Sequence, residues 1–179
     1  MSRSFKTLVL GLGIAAMSAF AAGTESDMAL QARAIHEVRM YSRYSIFDNI
    51  GVRVNHGNVE LAGQVSQPFK KQDLRRIMQR IPGVTSVTND LQVLPTSFQD
   101  DQLRAQVARA IYRDPVLSRY ALQAVGPIHI IVANGHVTLE GVVNTEMERN
   151  VAGIRASGAG LSFGKVTNHL QVEVPSRRG

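Results

Sequence analysis

The sequence predicts an α+β protein built as two tandem α-β-β-α-β units, each a three-stranded mixed sheet with two helices packed on one face. Three observations predict it. The chain repeats itself: Asn55–Val65 (NHGNVELAGQV) aligns with Ala133–Val143 (ANGHVTLEGVV) at an offset of 78, and Val87–Val93 (VTNDLQV) aligns with Val166–Val172 (VTNHLQV) at an offset of 79. Two blocks at nearly one offset mark a duplicated unit, and two copies are too few for a solenoid. Within each copy, apolar residues alternate with polar ones on both sides of a two-residue turn, the pattern of a hairpin. Before and after the hairpin, apolar residues recur at helical spacing. The units run over 28–94 and 100–174, and the polar segment 95–99, Pro95-Thr96-Ser97-Phe98-Gln99, links them.

The chain opens with a segment of another kind. Arg3 and Lys6 precede Thr7–Phe20, which is apolar or small throughout, and Ala19-Phe20-Ala21 has the small-x-small form of a cleavage site. This is the three-part pattern of a secretory signal peptide over residues 1–21, too short for a spanning helix, which needs about 18–20 apolar residues. Gly11-Leu12-Gly13-Ile14-Ala15-Ala16 imitates a dinucleotide fingerprint, but no strand precedes it, so it carries no such meaning.

The elements follow in order. In unit one, Leu30, Ala34, Val38 and Tyr41 form a helical stripe after Asp27; in unit two, Leu103, Val107, Ala110 and Ile111 form a clearer one, capped by Asp100 or Asp101 and ended by Pro115. Ile50, Val52, Val54 and Ile128, Ile130, Val132 mark the first strands. Asn134-Gly135 is a strong turn signal because both positions need positive φ, and His56-Gly57 occupies the same place. The second strands turn Val59, Leu61 and Val137, Leu139 inward. Two-residue pairing sets Arg53 opposite Glu60 and His129 opposite Glu140. Gly63 and Gly141 lie in phase with the inward residues, where a missing side chain lets a helix backbone approach the sheet. Ser66 is a candidate cap for the second helix of unit one, with Pro68 in its first turn; Leu74, Ile77, Met78 and Ile81 are its stripe, and Pro82-Gly83 stops it. The last strand carries Val87, Leu91 and Val93. Asn89 and Asn168 point inward and are expected to bond neighbouring backbone, since a buried unpaired amide is costly.

This order of elements resembles a known family. The hairpin Asn134-Gly135-His136-Val137-Thr138-Leu139-Glu140-Gly141, the closing Val-x-Asn-x-Leu and the segment Ile81-Pro82-Gly83-Val84-Thr85-Ser86-Val87-Thr88-Asn89 are similar to the BON domain (bacterial OsmY and nodulation), and the resemblance covers nearly all of the chain after the leader, twice. Unit two departs from the pattern at Ser157–Leu161, where Pro-Gly-Val is usual, and unit one has His56 where Asn is usual. The resemblance implies a tandem two-domain protein of the periplasm or cell envelope, linked to osmotic or envelope stress, associating with phospholipid surfaces or other proteins. It supplies no catalytic residues.

Composition agrees with a folded protein. A hydrophobic content of 44% excludes wholesale disorder. Zero Cys excludes disulfides, thiolate metal sites, Cys nucleophiles and a lipidated-Cys anchor. The formal charge is +6; loss of Arg3 and Lys6 with the leader makes it +4. Unit one holds 9 basic and 5 acidic residues, whereas unit two holds 7 of each, so the excess is local.

That excess points to an anionic partner and to two candidate lipid-binding stretches. Lys70, Lys71, Arg75, Arg76 and Arg80 lie on the second helix of unit one, with Lys71, Arg75, Arg76 and Arg80 opposite its apolar stripe and Asp73 the only acid; the matching helix of unit two carries Glu146 and Glu148. Arg109, Tyr112 and Arg113 face away from the stripe of unit two's first helix, and an aromatic among basic residues suits a headgroup region. The plainer reading of either face is a solvated helix surface, and an acidic protein partner for the first is a further alternative. Arg177 and Arg178 form a basic tail tip.

Catalytic and metal signals are weak. Gly160-Leu161-Ser162-Phe163-Gly164 matches G-x-S-x-G, but that motif works on a strand-to-helix turn of a large sheet, and here it precedes a strand. His129, His136 and His169 share the outer sheet face with Glu140, without further ligand spacing, so no metal site and no cofactor are assigned. Three function classes follow: a phospholipid-associating envelope module; a periplasmic adaptor or chaperone-like protein using open sheet faces or the loop Tyr41, Tyr44, Phe47, with Ile131 a pointer either to that or to docking between the units; and a nucleic-acid binder, against which the leader and the missing aromatic motifs both argue.

Overall fold

The structure is a computed structural model that describes residues 18–159 and 164–173. Unit one comprises α1 (Ser18–Met40), β1 (Asn49–Asn55), β2 (Asn58–Val65), α2 (Pro68–Gln79) and β3 (Ser86–Val93). Unit two comprises α3 (Phe98–Tyr112), a short 3-10 helix (Ser118–Leu122), β4 (Ile128–Ala133), β5 (His136–Val143), α4 (Glu146–Gly158), β6 (Val166–Asn168) and β7 (Gln171–Val172). The mixed α+β architecture is the expected one. In each unit a hairpin pairs antiparallel and the last strand returns parallel to the hairpin's second strand.

Register follows the turn chemistry. His56 and Gly57 (φ 49° and 76°) and Asn134 and Gly135 (φ 52° and 78°) take the left-handed conformations that a two-residue turn needs. Arg53 pairs in register with Glu60 and His129 with Glu140, as expected, although Arg53 and Glu60 do not close to ion-pair distance. In unit two the returning strand is interrupted at His169-Leu170, so it forms the two short pieces β6 and β7, both parallel to β5.

One core serves each unit. Leu30, Ala34 and Val38 of α1 pack with Val59, Leu61, Leu74, Met78 and Leu91. Val107 and Ile111 of α3 pack with Ile128, Ile130, Val132, Leu139, Ala152 and Leu170. Leu94 rather than Val93 is buried at the end of unit one's last strand, and Val93 is 40% exposed.

Three local expectations are corrected. α1 begins at Ser18, before Asp27, whose carboxylate accepts the backbone N–H groups of His56 and Gly57 at 2.7 and 3.0 Å. Asp100 does the same to Asn134 and Gly135 at 2.9 and 2.8 Å, while Ser97, inside the expected linker, caps α3. Ser66 does not cap α2, whose N-cap is Gln67 with no side-chain bond; its hydroxyl is taken by Asp48 and Lys70. Gly63 and Gly141 (φ 117° each) are needed for a positive φ beside a neighbouring carbonyl, Asn49 and Pro127 respectively, and not for helix approach.

The two asparagines make the backbone bonds expected of them, although Asn168 is exposed rather than inward. Asn89 donates to the Lys71 carbonyl of α2 at 2.7 Å and accepts from Leu91 N; Asn168 donates to the Arg149 carbonyl of α4 at 2.8 Å and accepts from Leu170 N. Each clips the returning strand to the second helix of its unit. Of the expected leader, residues 1–17 lie outside the described residues and Ser18–Ala21 belong to α1; Gly160–Phe163 of the G-x-S-x-G motif and the tail arginines also lie outside.

Candidate functional site

The α2 face forms because Leu74 and Met78 are drawn into the core, which turns Arg75, Arg76 and Arg80 to solvent; Lys71 is half-buried at the edge. Arg76 reaches Asp73 only at 4.0 Å, an exposed pair that leaves its charge largely available. Asp73 is also engaged by the Tyr41 hydroxyl, which donates to it at 2.8 Å; burial and then that bond push the Tyr41 phenol up to about 12. Next to this face, Arg43 lies over the Phe69 ring at 5.1 Å from its centroid, a cation–π contact. Arg80 also lines a groove of about 530 Å³ between α1 and α2, with Arg33, His36, Ile77 and Ile81.

Lys70 is not on this face. It is 5% exposed, and its Nζ lies 2.6 Å from Asp48 Oδ2 and 2.8 Å from the Ser66 hydroxyl. The two ends of the residue explain the misplacement: the first turn of α2 rolls Lys70 over the end of the sheet, where a fully buried carboxylate waits. Asp48 accepts from Ser45 N and Oγ, Ser66 N and Oγ, and Lys70 Nζ, so its charge is satisfied on every side. Asp48 was missed in the sequence. A signal for it existed in the repeat: at the matching positions unit two has Gly126 and Glu148, so the acid at one and the base at the other are replaced together.

In unit two, Arg109 and Arg113 are exposed and line a groove of about 460 Å³ between α3 and α4, joined by Arg155 and by Ile154, which is 69% exposed. Arg155 Nε donates to Asp114 at 2.6 Å. A backbone N–H from Val116 and then the Arg155 bond hold the Asp114 carboxyl below its ordinary value. Tyr112 does not join this surface. Its ring is half-buried, and its hydroxyl donates to the Ile128 carbonyl at 2.7 Å. Burial drives its phenol upward. It packs over Gly126, where an added Cβ would collide with it.

The aromatic loop between α1 and β1 is also engaged. Ile46 and Phe47 pack against the core of unit two, Ile46 O accepts from Ile130 N at 2.7 Å, and Tyr44 stacks on His129. Ile131 is 7% exposed, so it offers little to a partner. Among the described residues no group of three or more His, Cys, Asp or Glu could hold a metal, and no helix is long and apolar enough to cross a membrane.

The BON domain model matches residues 41–95 and 99–174, more than half of the chain in two adjacent segments. The chain belongs to the BON family. The first match begins after α1, yet Leu30, Ala34 and Val38 of that helix complete the core of unit one. BON proteins are typically periplasmic or envelope-associated and generally non-enzymatic, so this chain is read coarsely as an envelope or periplasmic protein. No curated protein matches it. Among solved structures, CdsD, a structural protein of the type III secretion system of Chlamydia trachomatis, is similar at 14% identity over 81% of this chain and 94% of that one, with a TM-score of 0.27. The C-terminal domain of CdsD is similar at 13% identity over 80% and 99%, also at 0.27. A superposition that loose carries no weight for fold or role.

Proposed function

We propose that this BON protein is an exported, non-catalytic envelope module that associates with anionic phospholipid surfaces and supports envelope integrity under osmotic stress. The observation that carries the reading is the α2 face: Arg75, Arg76 and Arg80 exposed together, with Lys71 at the edge, Asp73 the one acid of α2 itself and Glu37 of α1 in the groove beside Arg80. A basic side chain at an anionic leaflet contributes about 1 kcal/mol, so these four supply about 4 kcal/mol, screened by salt. Arg109 and Arg113, near the exposed Ile154, form a second and smaller basic surface, while Arg155 in the same groove is held by Asp114. The adaptor reading loses support because the Tyr44–Phe47 loop is occupied by the chain's own second unit. Units 28–94 and 100–174, the linker 95–99 and the leader 1–21 complete the proposal; N-terminal sequencing of the mature protein checks the leader.

The test is co-sedimentation with vesicles of phosphatidylglycerol against phosphatidylcholine across a salt series. Binding is expected only to the anionic vesicles and is expected to weaken with salt. Replacing Lys71, Arg75 and Arg76 together by Glu is expected to abolish it; unchanged co-sedimentation would remove the site assignment.

A further inference from the structure

The loop between α1 and β1 carries unit one onto unit two, and a half-buried histidine sits beneath it. Ile46 O accepts from Ile130 N at 2.7 Å, so the loop adds one backbone bond to the edge of β4. One residue along β4, the His129 ring lies 5.6 Å from the Tyr44 ring, centroid to centroid, with Nε2 3.3 Å from the Tyr44 hydroxyl. His129 Nδ1 is buried without any hydrogen-bond partner. We infer that His129 is a pH-sensitive latch: the neutral imidazole is sealed under the Tyr44–Asp48 loop, and protonation releases that loop from unit two.

The local chemistry supports only the neutral form. An imidazolium has two N–H donors and needs two acceptors. Nε2 faces the Tyr44 phenol and Nδ1 makes no hydrogen bond, so the Ser45 and Asp48 carbonyls beside the ring favour its charged form only in part. Two carboxylates lie nearby, and both are committed. Asp48, on the loop, holds Lys70, Ser45 and Ser66. Glu140, opposite on β5, is held by His169 Nδ1 at 2.9 Å. Desolvation dominates and keeps the His129 pKa below its ordinary 6.5, with the Asp48 backbone and carboxylate, the Ser45 backbone and the Glu140 carboxylate only partly offsetting it.

The sign follows from linkage. Docking is unaffected above the pKa of the freed imidazole, about 6.5. Below it, the undocked population grows by up to about tenfold per pH unit until the docked pKa is passed. The released loop stays with unit one, because its other anchors, Asp48 to Lys70 and Tyr41 to Asp73, lie there. What opens is the edge of β4.

Amide hydrogen exchange on the full-length protein tests this, reading Ile130 N–H between pH 7.5 and 5.0 after correction for the intrinsic rate. Ile130 protection is expected to fall below about pH 6.5, by up to about tenfold per unit, while the amides of β5 keep theirs. His129→Gln, which keeps a polar ring-sized side chain without a titrating proton, is expected to make the profile flat, and His36→Gln to leave it unchanged. The latch is overturned if Ile130 protection is constant over that range, if it falls in step with β5, or if His129→Gln retains the dependence.

Discussion

The two units share one fold and differ in how they anchor the start of the second helix. In unit one Lys70 turns inward onto Asp48, an ion pair with side chains 6% and 0% exposed. At the same repeat position unit two has Glu148, 3% exposed, which accepts from the Tyr120 hydroxyl and from the backbone N–H groups of Asn144 and Thr145, while Thr145 completes a capping box. Unit one thus buries two opposite charges against each other, whereas unit two holds one buried acid on neutral donors, with only the exposed Arg119 as a looser ionic partner at 3.7 Å. The lesson concerns function as well as stability. The Asp48–Lys70 pair also fixes the loop that reaches unit two, so unit one's anchor doubles as the base of the inter-unit contact, and unit two's anchor is purely local.

Removing one partner of each anchor sharpens the contrast. Lys70→Met leaves Asp48 charged and buried and is expected to cost about 3–5 kcal/mol, whereas Glu148→Ala leaves neutral donors short of acceptors and is expected to cost about 1–3 kcal/mol. Urea unfolding of the full chain reads both, and equal losses would show that the two anchors are equivalent after all. Smaller effects separate the two turn clamps. Asp100 is 2% exposed and Asp27 half-exposed, so Asp100→Ala is expected to cost about 2 kcal/mol and Asp27→Ala about 1 kcal/mol or less; the reverse order in the same measurement would show that burial does not set the value of the clamp. Smallest is Tyr112→Phe. Losing its bond to Ile128 O is expected to cost about 1 kcal/mol with no change in vesicle co-sedimentation, and a loss of vesicle binding would return Tyr112 to the lipid-facing surface.

Much of this was legible in the chain. Strand alternation, the Asn134-Gly135 turn and the repeat offset fix the hairpins, because a period of two and a left-handed turn leave one register. Asn89 was readable for the same reason: phase placed it inward, and an inward amide must find backbone. Asn168 makes the matching bond although it is exposed. The site was only half legible. Helical phase placed Arg75, Arg76 and Arg80 outward, since residues opposite a core stripe have nowhere else to go. It failed for Lys70 and Tyr112, whose side chains are long enough to leave the face on which their Cα atoms lie, Lys70 reaching Asp48 and Tyr112 reaching the Ile128 carbonyl.

The sequence by itself therefore determined the duplicated fold, the strand register and the outward arginines, all consequences of spacing along the chain. Tertiary structure alone decided which charges are free and which are spent. It gave Lys70 to Asp48 across 22 residues, Asp27 and Asp100 to their turns, and Tyr44 to His129 across 85 residues. Pairings of that kind depend on where the ends of long side chains meet once two elements have packed, and no periodicity in the chain encodes that distance.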